Sequence, residues 1–470
     1  MDKSTSSGFG LLGSQRFGPT AWVCSLVHTV LHGLNCLGLF NPIRRYAMRR
    51  CLSSILEYRD KSEGYRDSLS PLHGATFALI LEGYSLHSEP VRRELQALEH
   101  FMLSAERGKE ARIGAASLQD TSLMLGSLCD AGMRADTHRL KTSLEWLCDQ
   151  LADLRSITST TEPFNGYLAT SYPDITGTAA AVVALIRQEP LFVHSTSILD
   201  ALEWLLTKQN ADGGWGVSSG QSSDRFLLEN MCFGDMECLY DRSCPESSGH
   251  VLEAFGLFLA VGGPHKTRGE NKGLLNRLAL ASQRAIYYLS MTQEPSGAWP
   301  GRRGRSHIYG TCAVLCGLAY FIGIKEGDRW SERDDAIFDD VHEAITWLKA
   351  IQRKDGSWGE TPCTYSDSLP SGCDTASPSE TAWALLALLP YVDPSTSVII
   401  EGVKYLLKTQ RKAGSHGATW IDEKYDGKPN NPSACHPLHS HYYPMMALGR
   451  FAHVSKSLLL GQHTDCSVAR

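Results

Sequence analysis

The sequence lacks the patterns that mark metal-binding, disulfide-rich and nucleic-acid-binding proteins. Its 14 cysteines form no Cys-x-x-Cys pair and no zinc-type spacing, which favours reduced thiols over a secreted disulfide framework. The net charge is −6 without a long run of one sign, so the electrostatic footprint of a nucleic-acid-binding surface is missing. No glycine-rich phosphate loop or dinucleotide fingerprint occurs. We therefore expect a cytoplasmic protein with no metal, no cofactor and no nucleic-acid partner.

Long hydrophobic runs are also scarce. One apolar stretch, residues 21–40, precedes a basic cluster at 44–50 and so has the outline of a membrane anchor. It contains His28, His32 and Asn35, which are costly in lipid and untypical of a signal sequence. We favour a buried helix of a helical pair here, and a membrane span or signal anchor is the alternative.

A repeat is the strongest positive signal in the sequence. In each copy an aromatic residue and leucine are followed, after three residues, by glutamine, and after three more by Gly-x-aromatic. The copies run Trp204-Leu205…Gln209…Gly213…Trp215, Tyr288-Leu289…Gln293…Gly297…Trp299, Trp347-Leu348…Gln352…Gly356…Trp358 and Tyr405-Leu406…Gln410…Gly414…His416. In the last copy His416 stands where the others have tryptophan.

The repeat has a structural logic and no catalytic content of its own. The aromatic residue and leucine lie late in an apolar-periodic helix, and the glycine ends that helix. A glutamine amide near a helix end can bond free backbone groups of the neighbouring repeat. The closing tryptophan ring can cover that contact, so each copy predicts a staple between consecutive helical units.

Helices rich in small and apolar residues lie between the copies, at 178–186, 250–259, 309–320, 380–389 and 442–451. Alternating helices without a convincing strand pattern predict an all-α protein, an α/α barrel of the α6-α6 type with inner and outer rings. We place the barrel at residues 108–470 and a partial N-terminal helical domain at residues 1–107, with a linker at 108–112.

Several segments resemble a known family. They read LQDT at 118–121, QNADGGWG at 209–216, QEPSGAWPGRRGRSHIYGT at 293–311, SETAWAL at 379–385 and HYYPMMALGRF at 441–451. Residues 70–452 thereby resemble the squalene–hopene cyclase branch of the class II terpene cyclases. The resemblance implies an isomerase that needs no cofactor and contacts membranes peripherally. It also implies that residues 1–107 are a truncated remnant of the family's second helical barrel.

The resemblance includes the frame of the family's acid motif but not its acid. The family protonates an alkene or epoxide with a carboxylic acid in an Asp-x-Asp-Asp-Thr-Ala motif after Tyr-Pro. Here residues 172–173 are Tyr-Pro, and the motif reads DITGTA at 174–179. Thr176 occupies the position of the acid, where we expect it to bind substrate, and only Asp174 remains. Asp174 is a candidate substitute acid, and directly before a helix it is also an ordinary N-cap residue.

A partner of the family's acid survives. The family has an Asp-Val-Thr-x-His stretch whose histidine bonds the catalytic aspartate, and this chain reads Glu246-Ser-Ser-Gly-His250. The histidine is kept and the aspartate has become glutamate. The resemblance therefore makes Glu246 a second candidate acid, oriented by His250. The alternative is that His250 caps or packs a barrel helix.

The residues that line the family's channel have also changed. Tyr309 remains as an aromatic side chain that can stabilise a carbocation, but other matching positions hold Asn165, Ser218 and Arg303. The C-terminal pair of tyrosines reads His436 and His439, in a loop where we expect a polar pocket wall rather than a metal site. An arginine facing a carbocation is repulsive, so Arg303 indicates either another pocket geometry or an anionic or oxygenated substrate. A small prenylated molecule with a polar head fits these changes better than a squalene-sized hydrocarbon.

The leading hypothesis is a nonstandard terpenoid or meroterpenoid cyclase in natural-product biosynthesis. It closes rings on a prenylated substrate with a polar head and starts cyclisation without the family's acid. The alternative is a non-catalytic isoprenoid-binding scaffold that kept the cyclase barrel, which predicts a filled or closed cavity.

Overall fold

A computed structural model describes residues 29–30, 33, 41–62, 69–100, 102–105, 108–111, 117–134, 138–152, 154, 174–216, 242–262, 272–301, 306–322, 335–360, 376–413, 417–422 and 438–459. The chain divides into two compact units, one formed mainly by residues up to Met102 and one from Leu103 onward.

The first unit contains three helices in its described part, α1 (Asn41–Ser62), α2 (Leu69–Leu81) and α3 (Glu89–His100). Their apolar side chains meet in two small clusters, one around Leu72 and Ala75 and one around Leu52, Leu79 and Val91. The helical character predicted for residues 1–107 is present in these segments. The boundary at residue 107 stays a prediction.

The second unit contains most of the secondary structure. In chain order its elements are β1 (Met102–Ala105, whose first residue belongs to the first unit), β2 (Gly108–Ala111), α4 (Ser117–Asp130), α5 (His138–Ala152), α6 (Ile175–Gln188), a 3₁₀ helix (Pro190–His194), α7 (Thr196–Thr207), α8 (Pro245–Gly262), α9 (Lys272–Thr292), α10 (His307–Leu318), α11 (Asp335–Ala350), α12 (Pro378–Leu388), α13 (Ser397–Thr409), β3 (Arg411–Ala413), β4 (Gly417–Thr419) and α14 (His439–Leu459). Where we expected a linker at 108–112, β2 pairs with β1.

Six helices form a closed inner ring. In order around the ring they are α4, α6, α8, α10, α12 and α14. Each helix packs against the next one in this order, and α14 packs against α4. The Tyr442 hydroxyl on α14 donates a hydrogen bond of 3.3 Å to Asp120 on α4, at the point where the ring closes. Five further helices, α5, α7, α9, α11 and α13, pack against the ring or each other from outside. The predicted all-α class and α/α barrel are confirmed, with two short strand pairs added.

The composition of each helix explains its place. The outer helix α5 buries Leu140, Leu144, Leu147 and Leu151, one apolar stripe at helical spacing. The inner helix α10 is almost entirely buried and consists mainly of small and apolar residues. Small residues let neighbouring inner helices approach closely. A Cβ on Gly249 of α8 would collide with the backbone of Ala313 on α10.

The predicted staples exist. The Gln209 side-chain amide donates 2.8 Å hydrogen bonds to the carbonyls of Gly213 and of Ala281, which lies on the next outer helix. The Trp215 indole N–H donates to the carbonyl of Leu205 at 2.8 Å. The copies at 293–299 and 352–358 make the same bonds. The glycine does not end the helix as predicted, because α7 ends at Thr207 and Gly213 lies in the following turn at φ 94°.

The fourth copy closes differently from the prediction. His416 lies outside the described residues, and the bond of the closing tryptophan is made by Trp420, whose indole N–H donates to the Leu406 carbonyl at 2.8 Å. The hairpin of β3 and β4 inserts between the helix and this tryptophan. The aromatic residue is therefore displaced by the hairpin rather than lost.

The apolar stretch at 21–40 falls mostly outside the described residues. Within the described part of the chain, no helix combines the length and apolarity that a membrane span requires. The cytoplasmic location and the peripheral membrane contact stay predictions.

Candidate active site and axial pocket

The inner ring surrounds a pocket along its axis. The empty volume is about 620 Å³, including the part that is open to solvent, and all six inner helices contribute to its lining. Its middle is lined mainly by small and apolar side chains, such as Ala180, Val183, Ala184, Ala313 and Leu386. All six inner helices start at the same end of the ring. Two layers of very different chemistry bound the pocket, one near the N-termini of these helices and one near their C-termini.

The layer near the N-termini is aromatic. The Tyr309 ring centroid lies 4.7 Å from that of Trp383 and 6.1 Å from that of Tyr443. The His439 ring lies 5.3 Å from Tyr443 and 5.9 Å from Trp383. His250 completes this aromatic layer, 5.9 Å from Tyr309. Of the predicted substrate-binding residues, the structure therefore brings Tyr309 and His439 together.

Hydrogen bonds connect three members of the aromatic layer. The His250 Nε2 atom lies 3.2 Å from the Tyr309 hydroxyl, which lies 3.3 Å from the Tyr443 hydroxyl. Each hydroxyl can donate in one direction and accept from the other. Burial, mutual contact and the nearby Glu246 charge raise the pKa of Tyr309 well above its ordinary value, and burial raises the pKa of Tyr443. Both hydroxyls therefore keep their protons at neutral pH.

Glu246 lies in the first turn of α8, half-buried and four residues before His250. Residues at this spacing share one face of a helix. The negative charge of Glu246 also contributes to the raised pKa values of Tyr309 and Tyr443. Glu246 therefore lies within electrostatic range of Tyr309 and Tyr443, although it is not among the residues that line the pocket.

Asp174 has the geometry of a helix cap. It is the N-cap residue of α6, and its carboxylate accepts hydrogen bonds from the Gly177 N–H and, at 2.8 Å, from the Thr176 hydroxyl. A Cβ on Gly177 would lie 3.0 Å from the Asp174 Oδ1 atom, so glycine leaves room for this contact. An N-cap carboxylate interacts with the helix dipole in its ionised form. Asp174 and the buried Thr176 therefore make a local structural contact.

The other predicted site residues, Asn165, Ser218, Arg303 and His436, lie outside the described residues. Sequence reasoning missed Trp383 and Tyr443 as members of the aromatic layer. Both belong to segments that carry the family resemblance, SETAWAL and HYYPMMALGRF. The spacing along α14 could have identified Tyr443, since it lies one helical turn after His439.

Buried carboxylates hold the N-termini of two inner helices. Glu360 accepts a 3.1 Å hydrogen bond from the backbone N–H of Ile308, the residue before Tyr309. Its own N–H donates to Glu380 at 3.2 Å. Asp422 accepts from the backbone N–H and the hydroxyl of Ser379, on α12. Glu360 and Asp422 each follow a staple tryptophan by two residues. These two staples thereby also cap an inner helix of the preceding unit.

The layer near the C-termini is charged. Arg187 on α6 contacts Glu253 at 2.9 Å and Asp130 at 3.3 Å, and Arg450 on α14 contacts Asp130 at 2.9 Å. Burial lowers the pKa of Arg187, but Tyr320, Asp130 and Glu253 outweigh it and leave the pKa well above the ordinary value. The contacts of this charged layer join α4, α6, α8 and α14. No sequence motif indicated it.

Within the described residues, no group of three or more histidine, cysteine or acidic side chains is arranged to hold a metal ion. The polar groups that line the pocket include hydroxyl, imidazole, guanidinium and carboxylate groups.

Comparison with known proteins decides the family. The family model of the squalene-hopene cyclase C-terminal domain matches residues 116–453, and that of the N-terminal domain matches residues 10–107. The chain belongs to the squalene–hopene cyclase family. The repeats and the closed inner ring described above are those of the matched C-terminal domain.

The curated relatives are larger than this chain. An enfumafungin synthase of Hormonema carpetanum is 33% identical over 444 residues, which cover 88% of this chain and 33% of that protein. A squalene hopane cyclase of Aspergillus fumigatus is 34% identical, covering 87% of this chain and 58% of that protein. A terpene cyclase–glycosyl transferase fusion protein of Humicola fuscoatra is 35% identical, covering 87% and 31%.

Among solved structures, the type II terpene cyclase MstE of Scytonema covers 82% of this chain with a TM-score of 0.44 and 14% identity. This likeness is too distant to support an argument about function.

Proposed function

We propose that this protein is a terpenoid or meroterpenoid cyclase that closes rings on a prenylated substrate with a polar head and does not use the family's aspartic acid. The observation that carries the proposal is the hydrogen-bonded chain from His250 through Tyr309 to Tyr443, beside an open pocket. His250, Tyr309 and Tyr443 all line that pocket. The family and the named activities of the relatives support the same reaction class.

Tyr309 is the proposed donor to the substrate. Its raised pKa makes it a weak acid that keeps its proton. Such a group suits an activated oxygen, an epoxide or a carbonyl, and does not suit an unactivated alkene. On an epoxide, the Tyr309 proton moves to the oxygen as the C–O bond breaks. The neighbouring alkene then supplies the electron pair that forms the new C–C bond.

Proton balance follows from the hydrogen-bonded chain. The Tyr309 oxygen regains a proton from the His250 imidazolium at 3.2 Å. The final carbocation loses a proton to His250, which lines the pocket and is neutral after the transfer to Tyr309. Glu246, one helical turn away on α8, stabilises the imidazolium. The substrate gains one proton and loses one, so the net reaction is an isomerisation. Asp174, occupied as a helix cap, has no step in this scheme.

The pocket supplies the remaining requirements of a cyclisation. Small and apolar side chains along its wall are chemically suited to a prenyl chain. Holding that chain in one conformation removes much of the entropic barrier. The faces of Tyr309 and Tyr443 stabilise cationic intermediates electrostatically. Peripheral contact with a membrane would deliver such a hydrophobic substrate, and remains part of the proposal.

The test is incubation of purified protein with farnesyl- and geranylgeranyl-bearing polar substrates and their epoxides, followed by mass spectrometry and NMR. Wild type runs beside Asp174→Asn, Glu246→Gln and His250→Ala. We expect a ring-closed isomer that is lost in the Glu246 and His250 variants and kept in Asp174→Asn. If the ring-closed isomer is lost only in Asp174→Asn, the initiating acid is Asp174. Binding without conversion of any substrate would favour the scaffold alternative.

A further inference from the structure

Two cysteines line the axial pocket between the aromatic layer and the charged layer. Cys312 and Cys316 follow Tyr309 by about one and two turns of α10, so the three residues share one face of that helix. All three line the pocket. Cys312 lies within electrostatic range of Tyr443 in the aromatic layer and of Glu253 in the charged layer. The proposed cyclisation assigns no step to either thiol.

A ligand in the pocket would contact these cysteines. A cysteine side chain consists of one methylene group and one sulfur atom, so a cysteine in a pocket wall presents the sulfur or the carbon bonded to it. Cys312 and Cys316 keep 5% and 8% exposure on a helix that is almost entirely buried. The Cys316 thiol also donates a hydrogen bond of 3.7 Å to the carbonyl of Leu386, another residue of the wall. A thiol in a closed core is inert, whereas a thiol in the wall of an open pocket can react with a ligand that enters it.

The two thiols differ in acidity. A hydrogen bond from Cys312 lowers the pKa of Cys316, and the Arg450 charge acts in the same direction, whereas burial and Glu253 act against it. The same hydrogen bond, together with burial, raises the pKa of Cys312 well above its ordinary value. Cys316 therefore gives up its proton first, and Cys312 stays a thiol that donates to it. The thiolate is the nucleophilic form of cysteine.

The surroundings of the thiols restrict the electrophile that they can meet. The pocket wall is largely apolar and therefore favours an uncharged, apolar ligand. A substitution reaction would release a leaving group into the pocket, whereas addition to a carbon–carbon double bond releases nothing. Sulfur is a soft, polarizable nucleophile, and conjugation with a carbonyl group makes such a double bond electrophilic. These conditions describe an α,β-unsaturated ketone on an apolar chain.

We propose that Cys312 and Cys316 form a covalent modification site in the axial pocket, at which Cys316 adds to the β-carbon of an apolar α,β-unsaturated ketone. The S–C bond forms as the C=C π bond breaks, and the α-carbon takes up the proton that Cys316 gave up. One S–H bond and one π bond are replaced by one S–C bond and one C–H bond, so the addition needs no oxidant or co-reactant. The site is independent of the proposed function, because the addition needs no turnover of a prenylated substrate.

Alkylation of the wild-type protein tests the site. The probes are 1-octen-3-one and 1-penten-3-one, which carry the same vinyl ketone group and differ by three methylene groups. Peptide mapping by mass spectrometry gives the alkylation rate at each cysteine, with the exposed Cys51 on α1 as the internal control. We expect the ratio of Cys316 to Cys51 alkylation to be at least about fivefold higher for 1-octen-3-one, because burial of the longer chain adds affinity. The saturated 3-octanone should protect Cys316 and leave Cys51 unchanged.

Three variants assign the adduct. Cys316→Ser should lose the pocket adduct, whereas Cys312→Ser keeps a hydrogen-bond donor and should retain it. Val183→Phe fills part of the pocket wall and should slow the alkylation of Cys316 without changing that of Cys51. Circular dichroism checks the fold of each variant. If a variant fails to fold, the chain-length ratio and the protection by 3-octanone in wild type decide the question.

Three results would overturn the inference. The first is an equal ratio of Cys316 to Cys51 alkylation for the two ketones, the second is the absence of any adduct on Cys316, and the third is a pocket adduct that remains in Cys316→Ser. None of these results bears on the cyclase, since ring closure is measured separately on prenylated substrates. Selective alkylation of a protein that converts no prenylated substrate would retain the site and reject the proposed function.

Discussion

The aromatic layer and the charged layer line the same axial pocket with different kinds of side chain. The aromatic layer, near the helix N-termini, places hydroxyl and imidazole groups in contact through single hydrogen bonds of 3.2 to 3.3 Å. The charged layer, near the C-termini, locks two arginines between two carboxylates. The first layer consists of groups that can both donate and accept hydrogen bonds, whereas the second is a network of ion pairs. We propose chemistry for the aromatic layer and a stabilising role for the charged layer.

The largest expected effect is on the charged layer. Arg450→Ala removes one cation from a buried network and leaves Asp130 with Arg187 alone. Breaking a buried ion pair in this way costs about 3–5 kcal/mol of unfolding free energy. Urea unfolding followed by circular dichroism measures it, with the exposed Arg277→Ala as the matched control. A loss no greater than the control's would show that the charged layer does not hold the barrel.

Variants of Glu360 test whether its carboxylate stabilises the N-terminus of α10, the helix that carries Tyr309. Glu360→Ala leaves the backbone N–H of Ile308, the residue before Tyr309, without its acceptor. We expect this to lower the unfolding free energy by about 1–3 kcal/mol. Glu360→Gln keeps an acceptor oxygen and should lose less. The same urea measurement compares them. Equal losses in the two variants would mean that the cap does not depend on this oxygen.

A pH titration should separate the layers further. The pKa values of Tyr309 and Tyr443 are raised in the folded state. Stability from these groups is therefore complete below their unfolded pKa of about 10 and falls as pH rises above it, by about 1.4 kcal/mol per pH unit and tyrosine. The arginines keep their charge over this range. Tyr309→Phe should flatten the slope of unfolding free energy between pH 10 and 11, and an unchanged slope would contradict the assignment.

We expect the smallest loss of unfolding free energy from substitution of Asp174. As an N-cap, Asp174→Ala should lose about 1 kcal/mol of unfolding free energy. Asp174→Asn, another good cap, should lose much less. Thermal unfolding of both variants beside wild type checks the order. A cost in Asp174→Asn as large as in Asp174→Ala would show that the negative charge itself matters there.

Local patterns in the sequence predicted the staples and the barrel because those depend on short spacings. Gln209 and Trp215 lie six residues apart and bond groups that the repeat brings to the same place. The repeat spacing did not predict the closing tryptophan of the fourth copy. A hairpin inserts before Trp420, so this tryptophan lies farther along the chain than the spacing allows.

The site was less accessible from the sequence. Tyr309, His250 and Glu246 could be identified by resemblance, but their hydrogen bonds depend on how α8, α10 and α14 pack. The charged layer depends on contacts between residues far apart in the chain, such as Asp130 with Arg450. A lone arginine in an apolar helix carries no local signal of its partners. Asp174 was the reverse case, since its position before α6 predicted the cap that the structure contains.

The most direct test of the account is the rate of ring closure in Tyr309→Phe. The substrate is a farnesyl or geranylgeranyl epoxide with a polar head that wild type converts, and product formation is followed by mass spectrometry. The variant keeps the ring and loses only the hydroxyl between His250 and Tyr443. The account predicts a fall of about a hundredfold or more in the rate with the fold intact. A rate within about threefold of wild type would contradict it, because transition-state stabilisation would then not depend on this hydroxyl.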